Sequence, residues 1–534
     1  MTRRLCPVFS AFVFAILLGG CGGGGGSTPV VSSPMTNSAG SIVRNSSFDV
    51  RSRSQFAGIL RTPALPPLRR HRVTAAERAR ARAAGWQMLV APAFANGPGT
   101  ELLMTDGTVM VQSGCTTAWY GLTPDKNGSY LHGTWKPRAS MPSGYAPLYF
   151  ASAVLADGKL IVNGGEYNFC HGVETTLGAI YDPVANSWTS VSPPSGWSSI
   201  GDGQSVVLDD GTYMIGNCCT SVQALLNESK LTWTQTGNGK QDVNSEEGWT
   251  LLPSGNVLTV DVTDVPQSEA YNPKANMWAS AGQLPVNLIA GEEIGPQTLM
   301  PNGSVFVAGA DGDTALYNSK SGGWAKGPTF PTVSGQQLDV ADGPSTVLTD
   351  GTVMIAASPG LYKTPASFFI FDGKKLKSIV PPPQAPNDSS FNLRLLLLPT
   401  GQVLEVDGSG DIELYTSTAK PDGAIAPAIA SVPTTLHSGS TYKISGKRFN
   451  GFTQANMYGD DVQQATNYPL VRIVNTATGH VFYARTHGHS FMGVGSQSMI
   501  STMFDVPAGI ESGPSTLVVV TNGIPSQAVN VTIQ

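Results

Sequence analysis

The sequence is poor in charge, histidine and cysteine, and each scarcity closes off a class of protein. Only 13% of its 534 residues are charged, and the formal net charge is −5. No aromatic-basic surface accompanies the basic run, so nothing calls for nucleic acid as a partner. Of the seven His, His487 and His489 stand two apart, and the other five are scattered with no metal-ligand spacing to them. Helical patterning is also scarce. With 61 Gly and 38 Pro, the chain reads as many short strands joined by turns, an all-β protein. The early apolar run, VFSAFVFAILLGG after Arg3 and Arg4, is too short for a comfortable membrane span.

That run has the flanks of a secretory signal. Leu18-Gly19-Gly20-Cys21 resembles the lipobox of bacterial lipoproteins. The resemblance implies a signal peptide over residues 1–20, cleavage before Cys21, and a diacylglycerol on the Cys21 thiol. Gly rather than Asp at position 22 implies the outer membrane, so the membrane is a partner through the lipid anchor. An ordinary cleaved signal is the alternative. Residues 21–87 read as tether and linker. Gly22–Gly26 is flexible, and from Arg44 to Arg82 ten Arg stand against Asp49 and Glu77, a net of +8. Thr74 and Glu77 form a capping-box pattern that opens a short helix. This basic segment reads as a solvated linker or as a contact for anionic headgroups. Of six Cys, Cys6 leaves with the signal and Cys21 is acylated. Cys115, Cys170, Cys218 and Cys219 remain, and in an exported chain an even number makes them disulfide candidates. Cys218-Cys219 closes a vicinal ring or pairs with two other partners.

What the sequence has in abundance is an internal repeat. Hairpin-turn glycines recur at Gly107, Gly158, Gly211, Gly255, Gly303, Gly351 and Gly401, at intervals of 44 to 53 residues. Each lies between apolar strands, as in LLMTDGTVMV and TVLTDGTVMI. A second echo places Trp seven residues after Tyr181, Tyr271 and Tyr317. A period near 50 with about four short strands per unit means a β-propeller, here of seven blades over residues 88–423. The unit resembles a kelch repeat, with the Gly164-Gly165 pair in VNGGE. After Pro421 the alternation predicts an antiparallel β-sandwich over 424–534, immunoglobulin-like in kind.

In a propeller the innermost strands line the axis and their starts open on one face. Nine residues before each turn glycine stand Pro98, Tyr149, Asp202, Glu246, Ile294, Asp342 and Asn392. Glu247, Glu292 and Glu293 lie beside them. The expectation is an acidic mouth. Clustered carboxylates repel one another unless a cation or hydrogen-bond donors intervene. Ca²⁺ or another divalent cation, with its preference for oxygen, suits such a set. The alternatives are that each acid caps local N–H groups, or that the mouth takes a hydroxyl-rich ligand against Tyr149, Tyr167, Trp119 and Trp197. Asp460 and Asp461, in MYGDD, read as a turn or as a second cation site. His487 and His489 share a face if they lie in a strand.

A secreted seven-bladed kelch propeller followed by such a sandwich resembles galactose oxidase and glyoxal oxidase, over about residues 90 to 534. The resemblance implies one copper ion at the mouth, held by two Tyr and two His, with one Tyr cross-linked to Cys. Tyr149 in YFASAVLADG matches the cross-linked Tyr, and Tyr167 its stacking partner. The sandwich histidine is matched by His489, or else His487. The second Tyr-His pair is replaced by Phe391-Asn392, and no Cys stands near Asn96-Gly97-Pro98-Gly99. Copper(II) prefers nitrogen and anionic oxygen, so copper-radical chemistry is not expected. The reading is a lipoprotein, expected to be a monomer, that binds a glycan or polyol at the mouth. Its candidate residues are Tyr149, Tyr167, Asp202, Glu246, Asp342, Asn392 and His489. A rearranged oxidase, or a metal-dependent hydrolase or lyase working through the acidic heads, is the alternative.

Overall fold

The computed structural model describes residues 73–534. The signal segment, Cys21, the glycine tether and most of the basic segment lie outside the described residues. Among the described residues no helix is long and apolar enough to cross a membrane.

The repeat builds seven four-stranded antiparallel sheets. Blade 1 runs Pro98–Leu103, Val109–Ser113, Trp119–Thr123 and Thr134–Pro137, and blades 2 to 6 repeat that order outward from the axis. Each turn glycine closes the innermost hairpin. Gly107 takes φ +78, a conformation that costs a residue with a Cβ. The preceding Asp106 carboxylate accepts from the Thr108 N–H at 2.9 Å, and Asp210 and Asp350 do the same in their blades. The Tyr-x₆-Trp echo marks the outer hairpins. Tyr181 and Trp188, Tyr271 and Trp278, and Tyr317 and Trp324 are cross-strand partners with ring centroids 5.0–5.4 Å apart. The tryptophans then reach back to the preceding blade. Trp188 Nε1–H donates to Ala139 O at 2.8 Å, and Trp324 Nε1–H to Ala281 O at 3.2 Å.

Blade 7 takes three strands from its own repeat, Arg394–Leu397, Val403–Val406 and Ile412–Tyr415. Its fourth, Trp86–Met88, comes from before blade 1. The ring is therefore closed by a strand from before blade 1 pairing with one from the last repeat, and the closing strand begins two residues before the boundary expected at 88. Helix α1 (Ala75–Ala83) precedes it, with the Thr74–Glu77 capping box formed.

The C-terminal domain lies against the turn-glycine face of the ring, where a Cβ at Gly107 would strike the Tyr483 ring. Its strands, from Ala428–Ser431 to Val529–Ile533, enclose a core that includes Ile444, Phe449, Ile473, Phe504 and Val519.

This domain also fills the axis of the ring. The connection between Thr441–Lys447 and Leu470–Asn475 runs up inside the ring. Asn456–Met457 pairs as a fifth strand with Ser345–Thr346 of blade 6. Asn456 Oδ1 accepts from Leu397 N–H (2.7 Å) and Thr346 Oγ1–H (2.8 Å), and its Nδ2 donates to Gln464 O (2.8 Å). Gln464 Nε2 donates to Glu101 O, Ser152 Oγ to Gln463 O, Ser205 Oγ to Gln463 Oε1, and Leu251 N–H to Gln454 Oε1. The loop thus satisfies polar groups on blades 1, 2, 3, 4, 6 and 7. Asn456→Ala leaves two buried donors unpaired. It is expected to cost about 2 kcal/mol, read as a lower urea midpoint with an unchanged slope.

Candidate mouth of the propeller

The inserted loop ends its climb at the strand heads. Asp202, Glu246 and Asp460 each offer an oxygen within 4.8 Å of the others, and so do Glu246, Glu293 and Asp342. The two sets share Glu246. All five side chains are buried, none more than 5% exposed. Four come from the heads of blades 3 to 6, and the fifth from the C-terminal domain.

The backbone at these heads is unusual. Tyr149, Glu246 and Asp342 take φ of 52°, 57° and 42°, the left-handed region that glycine fills at little cost. Keeping a large or charged side chain there costs of order 1–3 kcal/mol each. Gly459, just before Asp460, is required for a different reason. A Cβ there would lie 2.2 Å from Asp342 Oδ1, so any other residue would push that carboxylate aside.

Beside the carboxylates stands an aromatic wall. Tyr149 and Tyr167 meet edge to face at 6.1 Å, and Tyr362 and Phe391 at 5.0 Å. The Tyr362 hydroxyl donates to Glu293 Oε1. Arg394 sits behind this wall, its guanidinium 4.1 Å from the Tyr458 ring centre and 5.7 Å from that of Tyr149. It donates to the Phe391 carbonyl at 2.8 Å, as Tyr458 OH does at 2.6 Å. Below the rim, fully buried Gln297 has neither amide atom hydrogen-bonded among the described residues. Its Nε2 lies against Gly248, two residues past Glu246.

The nine-residue count thus brings Asp202, Glu246 and Asp342 together and sets Tyr149 near them. Asn392 is half-buried in the turn Ser390–Asn392 beside Phe391. Other expectations need correction. His487 and His489 are on the opposite face, because a different loop of the C-terminal domain enters the ring. The His489 N–H donates to Ala156 O in a bottom hairpin, and burial lowers its pKa to about 3. His487 is paired with Asp505 at 3.0 Å. Trp119 is a core residue packed on Phe150 and Trp188, and Trp197 packs against the core shared by blades 2 and 3. Glu247 turns away to a buried ion pair with Lys240, and Glu292 belongs to neither carboxylate set. Asp460 joins the main group instead of making a separate site. Tyr362, in a loop of blade 6, and Arg394, two residues past the counted position of blade 7, were not reached by the nine-residue count.

The four described cysteines lie on the mouth side. Cys115 and Cys170 form a disulfide that links the loops of blades 1 and 2, and Cys218 and Cys219 form the vicinal ring.

Blade 7 carries a second acidic group. Glu405 and Glu413 are cross-strand neighbours, with Asp388 and Asp407 close by. Burial and then mutual repulsion push Asp388 up to about 9, Glu413 to about 8 and Glu405 well above the carboxylate range. Asp407 is held near 6, chiefly by burial. These groups stay protonated in the fold at pH values where the unfolded chain has lost the proton. Their contribution is complete below about pH 4 and is lost as pH rises through about 6 to 9. Asp261 and Asp339, raised by burial to about 8 and about 7, act in the same direction. Urea midpoints should therefore fall from pH 5 to pH 9. Glu413→Gln should flatten the slope near pH 6–8 by up to about 1.4 kcal/mol per pH unit.

No family model matches the chain. Over 130 residues it is 32% identical to the kelch-like protein terF of Aspergillus terreus, an alignment covering 23% of this chain and 26% of that protein. The chain thus matches about a quarter of that relative's length. Among solved structures, a fungal alcohol oxidase of the AA5 family, in complex with copper, superposes with a TM-score of 0.50. The identity is 14%, and the match covers 84% of this chain and 100% of the oxidase. YCF48 bound to D1 peptide gives 0.46 at 13% identity over 63% of this chain and 97% of its own. The fold is that of a kelch-type, galactose-oxidase-like propeller.

Proposed function

We propose that the mouth binds a hard divalent cation, Ca²⁺ in the first instance, and through it the hydroxyls of a carbohydrate or polyol. The observation that carries this reading is the convergence of five buried carboxylates around the shared Glu246. A set of anionic oxygens at this spacing suits an ion that takes six to eight oxygen ligands. Gln297, buried with an unpartnered amide, adds a neutral polar group below. The aromatic wall of Tyr149, Tyr167, Tyr362 and Phe391 supplies faces for the apolar sides of a sugar ring.

The residues do not fit the copper centre of the oxidase family. Tyr149 stands at the position of one ligand, but Phe391 offers no oxygen and Asn392 only a neutral amide. The histidines of the C-terminal domain are on the far face, and Cys115 is committed to Cys170. A carboxylate-rich set of this kind favours hard ions over copper(II). On this reading the protein is an exported, lipid-anchored receptor without radical chemistry.

Elemental analysis after dialysis against Ca²⁺, then glycan-array binding with and without a chelator, tests the proposal. One or more bound Ca²⁺ per chain and chelator-sensitive glycan binding are expected. Stoichiometric copper with alcohol oxidation would refute it, and turnover of a bound glycan would replace the receptor by a hydrolase or lyase.

A further inference from the structure

Two blades carry the same buried acids, and only one of them carries a cation to match. In blade 4, Asp242 precedes the turn glycine Gly255, Asp261 follows the second strand directly, and Glu269 stands on the third strand two residues before Tyr271. Lys240 answers them. Its ammonium lies 3.1 Å from Glu269 Oε2, 2.8 Å from Glu247 Oε1 and 5.0 Å from the Trp278 ring centre. Blade 7 repeats the set around Gly401. Asp388 stands as far before that glycine as Asp242 does before Gly255, Asp407 follows the second strand, and Glu413 stands two residues before Tyr415. Trp86 faces Tyr415 as Trp278 faces Tyr271. Across from the glutamate, Thr259 of blade 4 becomes Glu405, which adds a further acid. By the same count Lys240 corresponds to Pro386, and Glu247 to Leu393.

The two residues that hold the Lys240 ammonium in blade 4 have counterparts, Glu413 and Trp86, that line a cavity of about 370 Å³. Glu413 is 1% exposed, and neither of its oxygens accepts from a nitrogen or hydroxyl donor among the described residues. The charged groups nearest it are acids: Glu405, Asp407 and Asp411, with Asp388 beside them. Buried charge in a fold is ordinarily paired, and blade 4 shows which partner this arrangement takes. We propose that the blade 7 cavity binds a small alkylammonium zwitterion, whose ammonium meets Glu413 and whose chain lies on Trp86.

The rest of the cavity sets the other end of the ligand. Met88, Leu131 and Pro383 give it apolar walls for a methylene chain. Arg78 and Arg82, one turn apart on α1 and both exposed, line its open side, where a carboxylate or phosphate pairs with guanidinium. The volume equals that of about a dozen waters, so the ligand is short. An ω-amino acid, in effect a lysine side chain ending in an anion, meets all three requirements.

Capture of such a ligand moves a proton. Burial, with Asp407 beside it, pushes Glu413 up to about 8, so at pH 7 it is mostly protonated. An ammonium in contact favours the ionised carboxylate. The cationic groups on the facing elements, Arg78, Arg82 and His132, are at the exposed side and do not replace it. Binding at pH 7 therefore releases about one proton, and affinity rises about tenfold from pH 6 to pH 7.

Calorimetric titration of 6-aminohexanoate into the chain from residue 22 onward, in two buffers of different ionisation enthalpy, tests the proposal. Hexylamine and hexanoate serve as comparisons. Expected are binding of 6-aminohexanoate with release of about one proton at pH 7, binding of hexylamine about fivefold weaker, and none of hexanoate. Glu413→Gln should abolish binding of both amines while the variant still unfolds cooperatively. Arg78→Gln with Arg82→Gln should bring 6-aminohexanoate down to the level of hexylamine and leave hexylamine unchanged. Failure of both amines to bind, binding without proton release, or undiminished binding to Glu413→Gln would overturn the inference. Equal affinity for 6-aminohexanoate and hexylamine would overturn its anionic end. Ca²⁺ binding at the mouth is read separately and stands or falls apart from these results.

Discussion

Glu246→Gln should lower the Ca²⁺ affinity of the mouth by about 100-fold, roughly 2.7 kcal/mol, and yet stabilise the ion-free protein. The loss follows from its place in both carboxylate sets, so one substitution removes an anionic donor from each. The gain follows from the same crowding. Besides its other contacts, Glu246 lies within 4.8 Å of oxygens of Asp202, Asp460, Glu293 and Asp342, and like charges at that spacing oppose one another. The amide keeps the shape and adopts the same left-handed backbone, so backbone cost cancels. Thermal unfolding with and without Ca²⁺ separates the two effects. The wild type should gain stability with the ion, and the variant should start higher and gain little. A variant that keeps the wild-type response to Ca²⁺ would place the ion elsewhere.

Lys240→Met is the largest expected loss of stability away from the mouth. The Lys240 ammonium is 2.8 Å from Glu247 Oε1 and 3.1 Å from Glu269 Oε2, with both its own side chain and that of Glu247 fully enclosed. Burial works against the ammonium, but Glu247 and Glu269 outweigh it and hold its pKa above the ordinary value. Glu247 is pushed up by burial, and Lys240 pulls it back. Asp242 and Asp261 complete the group. Removing the cation leaves those acids facing each other without water, at a cost of about 3–5 kcal/mol. Adding Glu247→Met should recover much of the loss, because an apolar pair of similar size carries no buried charge. Urea unfolding of both variants measures it, and a single variant within about 1 kcal/mol of wild type would show the acids to be protonated already.

The fold was written in the sequence because the repeat is local. A glycine that needs a positive φ, an acid that caps the turn and a Tyr facing a Trp across the outer hairpin recur once per blade. Counting back from the turn found Asp202, Glu246 and Asp342, since strands of one length begin at one height. That rule cannot reach residues outside the period. Asp460 arrives from another domain through a loop whose path depends on Asn456 meeting Leu397 and Thr346, contacts between residues far apart in the chain. The resemblance to the oxidases, not the repeat, placed His489 at the mouth, and a different connection of the C-terminal domain enters the ring. Tyr362 was hidden as Asp460 was, in a loop of blade 6 whose course follows no pattern. Glu247 shows the opposite error. It is adjacent to Glu246, but one step along the chain reverses the direction of the side chain and hands it to Lys240.

The inserted loop has a consequence for how the protein is made. The ring can shut once Ile412–Tyr415 meets Trp86–Met88, yet at that moment its axis is hollow and one donor short. Only after the chain beyond Asp460 has been synthesised and threaded does the pocket exist. On the proposed reading, ion binding needs the chain through Asp460, and a product ending before it would close the ring without that carboxylate.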